Sequence, residues 1–204
     1  MKKQLVIPCL VASSLLFWNC GGKSQAEEEK EEPKNAFEAI QKMAEKAEDM
    51  QKNGPVEPVD FRKLKEFLPT EAGGLPRTEA SGEKNGAMGF SLSQAEGKYS
   101  DANGESTIDI DLLDTGGIGG MAMMGMAAWA LAEVDKETAR GYEKTTKIDG
   151  HKAFEKYNTE DKSGELNVLV GDRFIVNVKG YNVTMDQLKG SLSDIDLKKL
   201  KGLE

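Results

Sequence analysis

Turn signals at short, regular intervals between residues 142 and 179 constrain the fold more than any other feature of this chain. Asp149-Gly150 tolerates positive φ at both positions, the backbone that a tight antiparallel hairpin requires. It separates a strand over 142–148 from one over 151–158. Residues 159–164 lead into a third strand over 165–170, and Gly171-Asp172 turns the chain into a fourth over 173–179. Strands joined this closely meander, because a parallel return needs a crossover of about a dozen residues. Leu166, Val168, Leu169 and Val170, with Phe174, Ile175, Val176 and Val178, are apolar on both alternating faces. Such strands are expected at the sheet centre, covered on both sides.

Upstream, residues 87–99 also alternate, but the apolar positions shift from Met88, Phe90 and Leu92 to Ala95, Gly97 and Tyr99. That change of phase predicts a bulge near Ser93-Gln94. Asn103-Gly104 supplies a turn, and the strand over 105–113 sets Ile108, Ile110 and Leu112 opposite Thr107, Asp109 and Asp111. Residues 77–82 read as a short edge strand. Asp60 is placed to cap a short helix bearing Phe61, Leu64, Phe67 and Leu68, with Pro69 at its end. A second helix is expected over 119–140, greasy all round in its first half and closed by Gly141. Thr184 and Gln187 form a capping box for a third that carries Met185, Leu188 and Leu192, and Leu197 and Leu200 belong to a final turn. The expected fold class is α+β over residues 55–204: a single antiparallel sheet of about five to seven strands with packed helices. The order hairpin, helix, meander, helix resembles the sheet-and-helix fold of the PsbP and Mog1 proteins, a likeness of topology that implies no function.

The amino terminus carries a different kind of information. Met1-Lys2-Lys3 precedes an apolar run over 5–18, which ends at Asn19-Cys20-Gly21-Gly22. The run is shorter than the roughly 20 apolar residues a membrane-spanning helix needs, and Pro8 interrupts it. A basic start, a short apolar core and a small-residue exit are the parts of an export signal. Leu16-Phe17-Trp18-Asn19-Cys20 resembles the end of a bacterial lipoprotein signal, although Leu stands four residues before the cysteine where such signals usually have it three before. The resemblance implies removal of residues 1–19 and a lipid on Cys20. Gly21 after the anchor implies the outer membrane, in families that read that position as a sorting signal. The rival is an ordinary secretory cut near Ser24-Gln25-Ala26, which would leave a soluble protein in the periplasm or outside the cell.

The only other cysteine, Cys9, lies inside the signal, so an acylated Cys20 leaves the mature chain with no thiol for a disulfide. Residues 20–34 are polar and acidic, and cannot bury enough apolar surface to offset their ordering entropy; they read as a disordered tether. Residues 35–54 read as an amphipathic stalk helix, with Asn35 as cap, Phe37, Ile40, Met43, Ala44, Ala47 and Met50 on one stripe, and Asn53-Gly54-Pro55 as its stop. The stripe over 35–52 lies against its own domain or docks an envelope partner. A net charge of −8 argues against nucleic acid as a partner.

Candidates for chemistry are few. Residues 117–122 fit G-x-G-x-x-A, but the strand before them carries Asp109 and Asp111 and no alternating β-α-β units follow, so a glycine-rich loop is the better reading. Met121, Met123, Met124 and Met126 suit soft copper(I), yet no His or Cys accompanies them, and methionine is ordinary core filler. Met121, Met124 and Trp129 are the residues expected to line an apolar ligand pocket, if the helix leaves one. Asp109, Asp111 and Asp114 offer hard oxygens for calcium at the wrong spacing for a calcium loop. His151 is the only histidine and has no nucleophile motif beside it. Glu155, Glu160 and Asp161 fall at exposed hairpin positions. No catalytic residue, metal or cofactor is expected. The reading is a lipid-anchored envelope protein whose domain binds or supports something without catalysis, with a carrier or sensor of a small apolar ligand as the alternative.

Overall fold

Pairing between strands distant in sequence organises the molecule. The computed structural model describes residues 56–87, 90–117, 128–131 and 133–203, with isolated helical positions at Gln41, Ala44, Glu45 and Glu48. Two compact units are distinguished, Met1–Glu32 and Pro33–Glu204, and the first lies outside the described residues. Within the second are strands β1 (Glu71–Ala72), β2 (Leu75–Ala87), β3 (Phe90–Ser100), β4 (Thr107–Asp114), β5 (Asp135–Thr138), β6 (Gly141–Ile148), β7 (His151–Asn158), β8 (Ser163–Val170) and β9 (Phe174–Tyr181). The helices are α1 (Phe61–Lys65), α2 (Ala128–Leu131), α3 (Met185–Ser193) and α4 (Leu197–Lys201). Among the described residues no helix is long and apolar enough to cross a membrane.

All nine strands form one antiparallel sheet in the order β1-β2-β3-β4-β9-β8-β7-β6-β5. It consists of two meanders. The first grows from one edge inward to β4; the second starts at the far edge with β5 and returns inward to β9, where the two are stitched together by pairs such as Ile110 with Val178 and Leu112 with Val176. Apolar side chains from both meanders, Ile110 and Leu112 with Val176 and Val178, meet at this seam on the face that carries the main core.

The sheet is larger, and the helices shorter, than the expected α+β fold of five to seven strands, so the domain is sheet-dominated. Two strands account for the difference. β1 has only two residues, held to β2 through the turn at Gly73-Gly74. β5 occupies Asp135–Thr138, where the expected helix over 119–140 should have continued; there the backbone pairs with Tyr142, Glu143 and Lys144 instead. This stretch is exposed and charged, as suits a short sheet edge. Gly141 accordingly begins β6 rather than ending a helix.

The bulge is also elsewhere. It lies in β2 between Arg77 and Glu79, while the pairing of β3 with β4 is regular from Ser93 to Ser100. The phase change in β3 has another cause: Ala95 and Tyr99 face the main core, whereas Leu92 packs on the opposite side with Leu113 and Ile175. Both faces are apolar at that end of the sheet.

The main core lies between one sheet face and α1, α3 and α4. Local sequence chemistry starts these helices as expected: Asp60 accepts from the Arg62 amide, and Thr184 and Gln187 form a reciprocal capping box. α3 sits close to the sheet because Gly164 and Gly180 are cross-strand partners beneath it. A Cβ on either would come within 2.8 and 2.7 Å of the two Leu188 methyl carbons. Leu188 is fully buried in this seat. Leu188→Ala should therefore cost about 2–5 kcal/mol, read from the urea midpoint at unchanged slope.

Candidate functional site

Polar side chains withdrawn from water mark three places in the described residues. At the first, Asp114 ends β4 fully buried and meets Arg173 side-on, Oδ1 accepting from Nε at 2.9 Å and Oδ2 from Nη2 at 2.7 Å. The same carboxylate accepts from the Val59 amide at 2.9 Å and the Gly116 amide at 2.9 Å. Four donors converge on one anion, which is how a buried charge is kept. The cluster ties the chain entering the domain to β4 and to the β8–β9 turn, a holding role rather than a chemical one. Ser93, opposite Asp114 in register, has a buried hydroxyl with no hydrogen-bond partner.

At the second, Glu155 on β7 is 2% exposed, a correction to the solvent-facing position expected for it. Its carboxylate takes Lys189 Nζ of α3 at 3.0 Å, Lys144 Nζ at 3.5 Å and the Tyr142 hydroxyl at 3.3 Å. Burial, then the Glu155 charge beside it, pushes the Tyr142 phenol up to about 12. Glu155 shares its face with Ala153, so a core-facing position was legible from alternation alone. Glu160 and Asp161 are exposed, as expected.

At the third, on the sheet face away from the main core, Asn177 Nδ2 donates to Asn167 Oδ1 at 2.5 Å and to Glu165 Oε1 at 3.0 Å, and Asn167 Nδ2 donates to the same Glu165 oxygen at 2.9 Å. Both asparagines are 7% exposed. Asp111 stands opposite Asn177 in register and accepts from Gln94 Nε2 at 3.2 Å. The sequence signal was one polar residue inside each of two otherwise apolar runs, Asn167 and Asn177.

Trp129, expected to line a pocket, is half-buried in α2 and packs on this same face, beside the cluster of Leu113, Ala130 and Ile175 that also takes Leu92 and Leu169. Met121 and Met124, the other two, lie outside the described residues, as does the lipidation candidate Cys20. The calcium trio is not brought together: Asp109 and Asp111 share the second face, whereas Asp114 turns to the first and is bound to Arg173. Among the described residues no three of His, Cys, Asp and Glu converge as metal ligands. His151 begins β7, next to the Asp149-Gly150 turn. A cleft of about 140 Å³ lies at the β5–β7 edge, lined by Lys136, Arg140, Tyr142 and Lys156 among others; Trp129 is not part of it. No family model, curated protein or solved structure matches this chain.

Proposed function

We propose that the chain is a lipoprotein of the bacterial cell envelope, anchored through Cys20, whose sheet domain binds or supports a partner without catalysing a reaction. The observation that carries this reading is the order basic start, apolar run and cysteine over residues 1–20. The buried ionic clusters are consistent with it: Asp114 is spent on Arg173 and two backbone amides, and Glu155 on two lysines and the Tyr142 hydroxyl, all groups of the domain itself. Residues 20–34 would be the tether and the stripe expected over 35–52 the surface for an envelope partner, with the outer membrane as the place; apart from Gln41, Ala44, Glu45 and Glu48 these stretches lie outside the described residues. The carrier or sensor reading draws on Trp129, an aromatic left half-buried on an apolar sheet end. A crystal of the protein grown with a fatty acid separates the two readings: electron density beside Trp129 would favour the carrier.

Cys20→Ala is expected to move the protein from the membrane pellet to the soluble fraction. Intact mass of the wild-type chain should show loss of residues 1–19 and gain of acyl chains. An unprocessed amino terminus, or a Cys20→Ala variant still in the pellet, defeats the proposal.

A further inference from the structure

The seam between the two meanders contains an acceptor that no described residue serves. Asn177 Oδ1 is buried and has no hydrogen-bond partner. The amide is oriented by its other end, since Nδ2 faces two acceptors on β8, Asn167 Oδ1 and Glu165 Oε1, and a flipped amide would set oxygen against oxygen. On the other flank of Asn177 its register partner is Asp111 of β4. Directly opposed residues of an antiparallel pair hold their Cβ atoms about 4.5–5.5 Å apart, within hydrogen-bonding reach for two short side chains. An orphaned buried acceptor is costly, so a donor from this neighbour has a clear return.

We infer that in the folded protein Asp111 holds a proton and donates it to Asn177 Oδ1, so that the two meanders are joined across their seam by a hydrogen bond that exists only while this carboxyl is neutral. Its other oxygen keeps the bond from Gln94. The row then runs unbroken from Gln94 on β3 through Asp111 and Asn177 to Asn167 and Glu165 on β8. The charged groups facing Asp111 are Glu96 and Lys98 on β3, Asp109 on its own strand, Lys179 on β9 and Glu165 beyond Asn177; from the described part of α2, only Ala130 and Trp129 pack on this face. Burial is the largest influence on the Asp111 carboxyl and lifts it above the usual aspartate range; Gln94 and Lys179 pull the other way, while Glu96 and Asp109 add to the lift. The folded state thus binds this proton more tightly than the unfolded chain. The stability it contributes is complete below the ordinary aspartate value and is lost as pH rises through the folded one.

The test follows the Asp111 side-chain carbon by NMR through a pH titration of the full chain. Its midpoint should lie above the ordinary value of about 3.9, and should fall by about half a unit or more in Asn177→Val, where the acceptor is gone. A wild-type midpoint at or below the ordinary value, or one that Asn177→Val leaves unchanged or raises, overturns the inference. Should Asn177→Val fail to fold, Asp111→Asn decides: its amide donates to Asn177 at every pH, so it should melt no lower than wild type near neutrality and show a shallower fall in Tm between about pH 4 and pH 8. A lower Tm near neutral pH would refute the bond. So would a shift of the Asp111 signal on adding millimolar calcium chloride, which would mean that a cation serves the oxygen instead.

Discussion

Asp114→Ala is expected to destabilise the domain by about 3–5 kcal/mol, because it strands the Arg173 guanidinium at a mostly buried position and removes the acceptor for the Val59 and Gly116 amides in the same stroke. In a domain of this size that corresponds to a fall in Tm of about 10 °C or more. Thermal melting by circular dichroism would register it. The double variant Asp114→Leu with Arg173→Met should recover part of the loss, since apolar side chains of similar volume need no counter-charge. A single variant that melts with wild type would mean that the ion pair does not hold the entering segment to β4, and the assignment of this cluster as a structural clasp would fall.

Val176→Asp should abolish cooperative unfolding altogether. Val176 is fully buried on β9, between Leu112 of β4 and Val168 of β8 in register, against the main core. An unpaired carboxylate there costs several kcal/mol or more, comparable with the whole margin of about 5–15 kcal/mol that keeps a domain folded. Loss of near-ultraviolet dichroism would be the signature. Leu169→Asp, one strand away, should be milder: Leu169 faces the second side and is only half-buried, so its carboxylate can reach water. Equal damage from both would show that the two faces are not distinguished as described, and a wild-type melt for Val176→Asp would remove β9 from the centre.

Much of the fold was legible locally. Asp149 and Gly150 both adopt positive φ, as the hairpin signal requires, and so do Gly171 and Asp172. The capping box at Thr184 and the cap at Asp60 stand where the residues placed them. What misled was apolar content without a face attached. Leu92 and Tyr99 look in sequence like one stripe thrown out of phase, yet they serve two different cores. The run before Asp135 continues without a break through charged residues to Gly141, yet Asp135–Thr138 forms an edge strand whose partner, β6, supplies hydrogen bonds that a helix signal does not anticipate. The charge of Glu155 argues for solvent, while its place in the alternation points inward; burial is tolerated because Lys144, Lys189 and Tyr142 all reach it.

The tight turns, the strands that flank them and the capped helix starts were set by the sequence alone, since each depends on φ preferences and side-chain alternation within about ten residues. Strand order was a tertiary decision. β4 and β9 are joined across a long stretch of chain, and Asp114 finds Val59 and Arg173 at separations of 55 and 59 residues. Which carboxylates leave water, and which amides are left wanting a donor, is decided only when two meanders close on one another. The energy of each such group depends on the neighbours that the closure supplies, not on those beside it in the chain.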